Sequence, residues 1–188
     1  THVGADVDSW GLDHGAWSVL VHAFPGADVP VVQLSIDARQ PPEFHLTLGA
    51  RLAPLRERGV LLMGSGNVVH NLRAIDWQRP DAGFDWARRF DGHAREVMAT
   101  RPGEATALVA HRDYAMSAPT AEHFLPLLYV AGFAAATGEA VQTLVDGYAY
   151  GSLSMTSYCV GAPCPTTAAG LPGAAPLGSD VPPEASNV

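Results

Sequence analysis

The chain has 188 residues, 47% of them apolar and 16% charged, enough to bury one core without staples. Nineteen acidic residues against eleven basic ones give a formal charge of −8, and the basic residues are scattered, which excludes nucleic acid and anionic membrane as partners. No run approaches the roughly 18 apolar residues of a membrane span, and two cysteines, Cys159 and Cys164, are too few for a disulfide framework.

These features, with no basic or apolar signal region at the start, predict a soluble cytoplasmic protein. A start at Thr1 without an initiator Met also implies a chain that lacks its true beginning. Residues 8–24 predict a loop ending at Asp13 or His14 and then a helix, with Trp17, Leu20, Val21 and Phe24 at three- and four-residue spacing and Pro25-Gly26 as the stop. The run 30–36, PVVQLSI, reads as a core strand. A helix over about 42–58 opens with prolines and Glu43 and is closed by Gly59. Residues 59–63, GVLLM, are short and branched and read as a second strand, covered on both faces. Helix, strand, helix, strand in that order points to an α/β layered domain with a central mixed, partly parallel sheet flanked by helices.

The loop 64–71, GSGNVVHN, ends that second strand at Gly64 and Gly66. Ligands of open α/β sheets sit outside the carboxyl ends of the strands, so Asn67 and His70 fall where chemistry is usually done. A segment rich in Trp, Arg and Asp, 76–89, then leads into a helix through about Met98, and another helix is expected over 104–114, both as surface helices with apolar stripes. Thr120 is the expected N-cap of a helix running to Val130, with Pro126 in its first two turns. Segments 141–145 and 151–160, joined through Asp146-Gly147, read as a closing pair of strands. The domain is expected to span 1–161, and the Ala/Pro/Gly-rich stretch 162–188 to be a disordered tail.

Eight histidines occur: His2, His14, His22, His45, His70, His93, His111 and His123. His2 is terminal, His22 and His45 lie within helices, and His93 and His111 read as solvated helix faces. His14, His70 and His123 instead stand at element boundaries, beside Gly, Asn or Pro. They are far apart in sequence, so zinc-finger and HExxH patterns are absent and any metal site must be assembled by the fold. Imidazole suits Zn(II) and Fe(II) alike.

The strings WGLDHGAW (10–17), VPVVQLSID (29–37), GVLLMGSGNVVHNLR (59–73), PTAEHFLPLLYVAG (119–132) and GSLSMTSY (151–158) resemble, in order and spacing, the 4,5-DOPA dioxygenase group of class III (LigB-type) extradiol ring-cleaving dioxygenases. The resemblance runs from about 7 to 161. It implies that His70 and His123 are metal-site histidines for a divalent ion, Zn(II) or Fe(II), and that His14 lies in the same pocket near substrate. The implied reaction opens a small aromatic diol such as DOPA with O2. A neutral imidazole near pH 7 would move the proton, and both His14 and His70 are open for that role. Asn67 and Ser65 would either support a ligand or cap the loop.

Members of that group also carry an N-terminal segment with an HGSP-type block and a further histidine, which has no counterpart here. Two candidate ligands do not complete a metal centre, so the expectation divides between a fragment of an active enzyme and a form without catalysis. A non-catalytic metal- or partner-binding homologue of the same fold is therefore the alternative. Zinc-dependent hydrolysis ranks below both, because no general-base Glu motif stands beside the histidines.

Overall fold

The computed structural model describes residue 4 and residues 11–162, so the tail expected over 162–188 lies, but for its first residue, outside the described residues. Helix α1, His14–Ala23, begins where the sequence places it: the Asp13 carboxylate accepts the Ala16 N–H at 2.8 Å and caps the first turn. None of its residues is buried, and Trp17, Val19 and Val21 stay open. Helix α2, Pro42–Leu52, starts on proline, which costs nothing where no N–H is needed, and tightens into a 3-10 segment over Ala53–Arg58.

The core forms where α2, α3 (Asp85–Thr100) and α5 (Leu125–Thr137) meet the 3-10 segment Pro102–Ala110, around Phe90, Met98, Leu108, Phe124 and Leu128. Helix α5 buries nine of its 13 residues, as expected of a helix apolar all round. It lies very close to α2. A Cβ at Gly132 would collide with the Leu46 carbonyl, so only glycine allows this approach.

Helix α3 is the expected amphipathic helix: its apolar stripe, Phe90, Ala94, Val97 and Met98, is buried, with Asp91 among them, while Asp85, Arg88, Arg89 and Glu96 face out. Two helix expectations need correction. The stretch expected as one helix over 104–114 is instead the 3-10 segment Pro102–Ala110 and a short helix α4, Tyr114–Ser117. At the break the His111 ring accepts the Asp113 N–H at 3.1 Å, so a side chain takes a helix donor. Thr120 is not the cap of α5. Its hydroxyl donates to Glu122 Oε1 at 2.6 Å, while a turn from Ala121 to Phe124 carries the chain into a helix that starts at Leu125 without a side-chain cap.

The α/β class holds, with small strands. β1 (Val141–Val145) pairs antiparallel with β4 (Ser157–Val160), and β2 (Tyr148–Ala149) pairs antiparallel with β3 (Leu153–Ser154). The expected strand 151–160 is thus divided between two partners. Among the described residues the parallel element is a single bridge, Gly83 to Gly151. Segments 30–36 and 59–63 carry no ladder among the described residues, and their apolar side chains are open, Val32 at 95% and Leu61 at 69% exposure. Branched apolar residues favour strand geometry, but a ladder also needs a neighbouring strand. Only one side is covered: Ile36 packs on the core, and Gly64 lies against Pro126 and Val130 of α5.

Candidate functional site

The loop 64–71 is laced into the fold along nearly its whole length. Gly66 lies so close to the His123 carbonyl that a Cβ would strike it, and the next N–H, of Asn67, donates to that same carbonyl at 2.8 Å. The Asn67 side-chain amide donates to Ser154 O at 2.8 Å. Val69, fully buried, exchanges bonds with Ser154: its N–H donates to the Ser154 hydroxyl at 3.3 Å, and its carbonyl accepts the Ser154 N–H at 3.0 Å.

His70 is held from both sides. Its N–H donates to Ser117 O at 2.8 Å, and it forms a bridge with Leu153 of β3. Asn71 then fastens the exit: its N–H donates to Ser152 O at 3.1 Å, its side-chain amide to Met116 O at 2.8 Å, and its Oδ1 accepts the Arg73 N–H at 3.1 Å. Every link is short, so the backbone of His70 is fixed relative to α4 and β3.

His123 stands just before α5, with Phe124 buried behind it. The two imidazoles stack, with centroids 3.7 Å apart and planes 19° from parallel. Burial pushes the His70 pKa below the ordinary histidine value, the charge of His123 pushes the same way, and Glu122 opposes both. At neutral pH His70 therefore offers a lone pair. For Glu122, burial pushes the carboxyl pKa up, but the Thr120 hydroxyl, its own backbone N–H and the two histidines carry the net value below the ordinary one. An anionic carboxylate thus stands beside the pair.

The structure brings His70 and His123 into contact and leaves His14 exposed at the start of α1. The neighbouring Gly15 carbonyl accepts the Ser65 hydroxyl at 2.6 Å, and the Asp13 N–H donates to Gln33 Oε1 at 2.9 Å, so the start of α1 is tied to the loop. Ser65 therefore braces α1. His93 and His111 are not plain solvated faces: both are partly buried, their rings stack at 5.3 Å, and His111 also meets Phe90. His111 Nδ1 is already used as the acceptor for Asp113 N–H.

Two imidazoles suit Zn(II) or Fe(II) in donor chemistry. They are too few in number. No group of three or more His, Cys, Asp or Glu side chains able to hold an ion is found among the described residues, and catalytic sites use about three protein ligands. Two surface cavities of about 360 and 370 Å³ lie beside α2 and beside the end of α5, and neither is lined by His70 or His123. Sequence reasoning missed the residues that frame the loop, Ser117, Ser152 and Ser154; the only signal for them was GSLSMTSY, which contains the latter two but does not show what they touch.

The fold and site define an α/β protein in which a fastened loop and a helix entry present two stacked imidazoles. The chain belongs to the family described as the catalytic LigB subunit of aromatic ring-opening dioxygenase, which it matches over residues 1–161. It is 43% identical over 164 residues to the 4,5-DOPA dioxygenase extradiol of Escherichia coli (strain K12), covering 85% of this chain and 60% of that protein. It is 34% identical over 153 residues to the 4,5-DOPA dioxygenase extradiol of Beta vulgaris, covering 78% of this chain and 57% of that one. A crystal structure of an uncharacterized protein from Escherichia coli K12 superposes with a TM-score of 0.74 at 41% identity, covering 81% of this chain and 64% of that one. The chain therefore spans about 60% of the length of the first of these relatives, aligning to its C-terminal part. No helix among the described residues is long and apolar enough to cross a membrane.

Proposed function

We propose that this chain is the C-terminal part of an extradiol dioxygenase that opens the ring of a catechol such as DOPA with O2, and that His70 and His123 contribute imidazoles to a Zn(II) or Fe(II) site whose further ligands lie outside the described residues. The observation that carries this reading is the stack of His70 on His123, two residues from separate sequence blocks brought together by the fold. The ion, when bound, would supply orientation of the diol and a lowered proton affinity for its oxygens.

The chain's own residues do the rest. Gly66, Asn67 and Asn71 hold the His70 backbone in place, so the imidazoles need little reorganisation. Burial keeps His70 neutral and able to accept a proton or donate a lone pair at pH 7. If His70 spends that lone pair on the ion, His14, tied to the loop through Gly15 and Ser65, takes the diol proton. Both cysteines would be ordinary thiols in a reducing cytoplasm.

Oxygen uptake with DOPA and formation of a yellow ring-opened product by the full-length polypeptide are the test. No uptake with any catechol, from protein that holds its metal, would overturn the reading. The incomplete donor set favours one alternative, a non-catalytic metal- or partner-binding homologue; metal retention without oxygen uptake is its signature.

A further inference from the structure

Asp91 stands in the middle of α3 with 0% exposure. Its Oδ1 accepts the Thr156 hydroxyl at 2.8 Å and its Oδ2 the Tyr148 hydroxyl at 3.0 Å. Arg95, one turn on, pairs with Asp91 Oδ2 at 3.3 Å and with Asp146 at 3.3 Å. Burial, and then the Asp91 charge, push the Tyr148 hydroxyl up to about 12, so it stays a donor. A carboxylate taken out of water is tolerated only when paired and hydrogen-bonded, and this one is.

The two hydroxyls that Asp91 holds bracket the stretch 148–156. Inside that stretch lie Ser152, Leu153 and Ser154, which hold the loop of His70 through the Asn71, His70, Val69 and Asn67 contacts. Helix α3 thus reaches His70 through a hairpin clamped at both ends.

We infer that Asp91 is a positioning residue for His70: it fixes the 148–156 hairpin against α3, and the hairpin fixes the imidazole against His123. This rests on the reading of His70 as a site residue, but its test involves neither metal nor turnover. The probe is the nuclear Overhauser effect between the His70 and His123 rings of the whole chain, which a 3.7 Å stack makes strong. In Asp91→Ala it should fall by more than half. Asp91→Asn keeps one carbonyl acceptor for Thr156 and should restore most of it.

Val97→Ala is the control. It opens a cavity on the same helix outside the clamp and should leave the ring contact intact even as the melting temperature drops. An unchanged ring contact in Asp91→Ala, or an equal loss in Val97→Ala, overturns the inference. Should Asp91→Ala fail to fold, Thr156→Val removes one hydrogen bond at nearly constant volume. The ring contact should then weaken, and no change would overturn the inference equally. A ring contact that responds to Asp91 in a full-length protein that holds its metal yet shows no oxygen uptake would refute the dioxygenase reading and leave the positioning role standing.

Discussion

The N–H of Asn67 donates to the carbonyl of His123 at 2.8 Å, so the loop bearing His70 and the entry to α5 share a backbone bond as well as a ring contact. Neither histidine can shift alone. If the full-length polypeptide is the proposed dioxygenase, His70→Ala and His123→Ala should each abolish its oxygen uptake, whereas His93→Ala and His111→Ala should leave it within a few-fold. Equal loss in all four would mean that the measurement reports stability, not the site.

Two donors hold an ion poorly. The 188-residue chain, dialysed after exposure to Zn(II) or Fe(II), should retain well under one equivalent by elemental analysis, because too few ligands are fixed in place by folding. One tightly held equivalent would refute this.

The contact of α2 with α5 depends on the missing side chain at position 132. Gly132→Ala should destabilise the fold by about 1–3 kcal/mol, the usual cost of forcing a methyl into a packed interface. Urea denaturation monitored by circular dichroism reads this directly, and a midpoint equal to the parent's would show that the helices can part without cost.

Acid should weaken the fold well before its carboxylates titrate. His45, at 0% exposure and hydrogen bonded through Nδ1 to the Tyr129 hydroxyl at 3.1 Å, has its pKa lowered by burial; His111 is lowered by burial too, and Asp113 opposes that shift. The unfolded chain binds protons on these rings below about 6.5, where the folded chain still resists. Stability is therefore full above that pH and falls as pH drops through the gap, by at most about 1.4 kcal/mol per pH unit for each ring. Urea midpoints at pH 7.5 and 5.5 test the sign. His45→Gln should flatten the slope, and a midpoint that rises on acidification would contradict the assignment.

How much of this was legible in the chain depended on the range of the cause. The cap at Asp13 and the stop at Gly59 are local, and the structure has them where spacing and turn chemistry place them. The union of His70 with His123 came from the family resemblance, since spacing alone says nothing about which distant histidines meet. Asp91 was illegible because its partners, Tyr148 and Thr156, lie 57 and 65 residues away, and a lone Asp on an amphipathic helix reads as solvated. Residues 30–36 and 59–63 misled in the opposite way, since their composition announces strands while pairing depends on what lies alongside.

Those two stretches, with Trp17 on α1, also govern how the protein behaves in a tube. Open, branched, extended chain is sticky toward its own kind, and a charge of −8 is what keeps copies apart at neutral pH. That repulsion fades as the solution approaches the isoelectric point near 5.3, in the same direction in which the buried histidines loosen the fold. Light scattering should climb steeply between pH 7 and that point and rise with salt at neutral pH, and Leu61→Glu, which removes an open apolar side chain and adds a negative charge, should move the onset to lower pH. Dilute, mildly alkaline, low-salt buffer is then the condition in which this polypeptide stays dispersed.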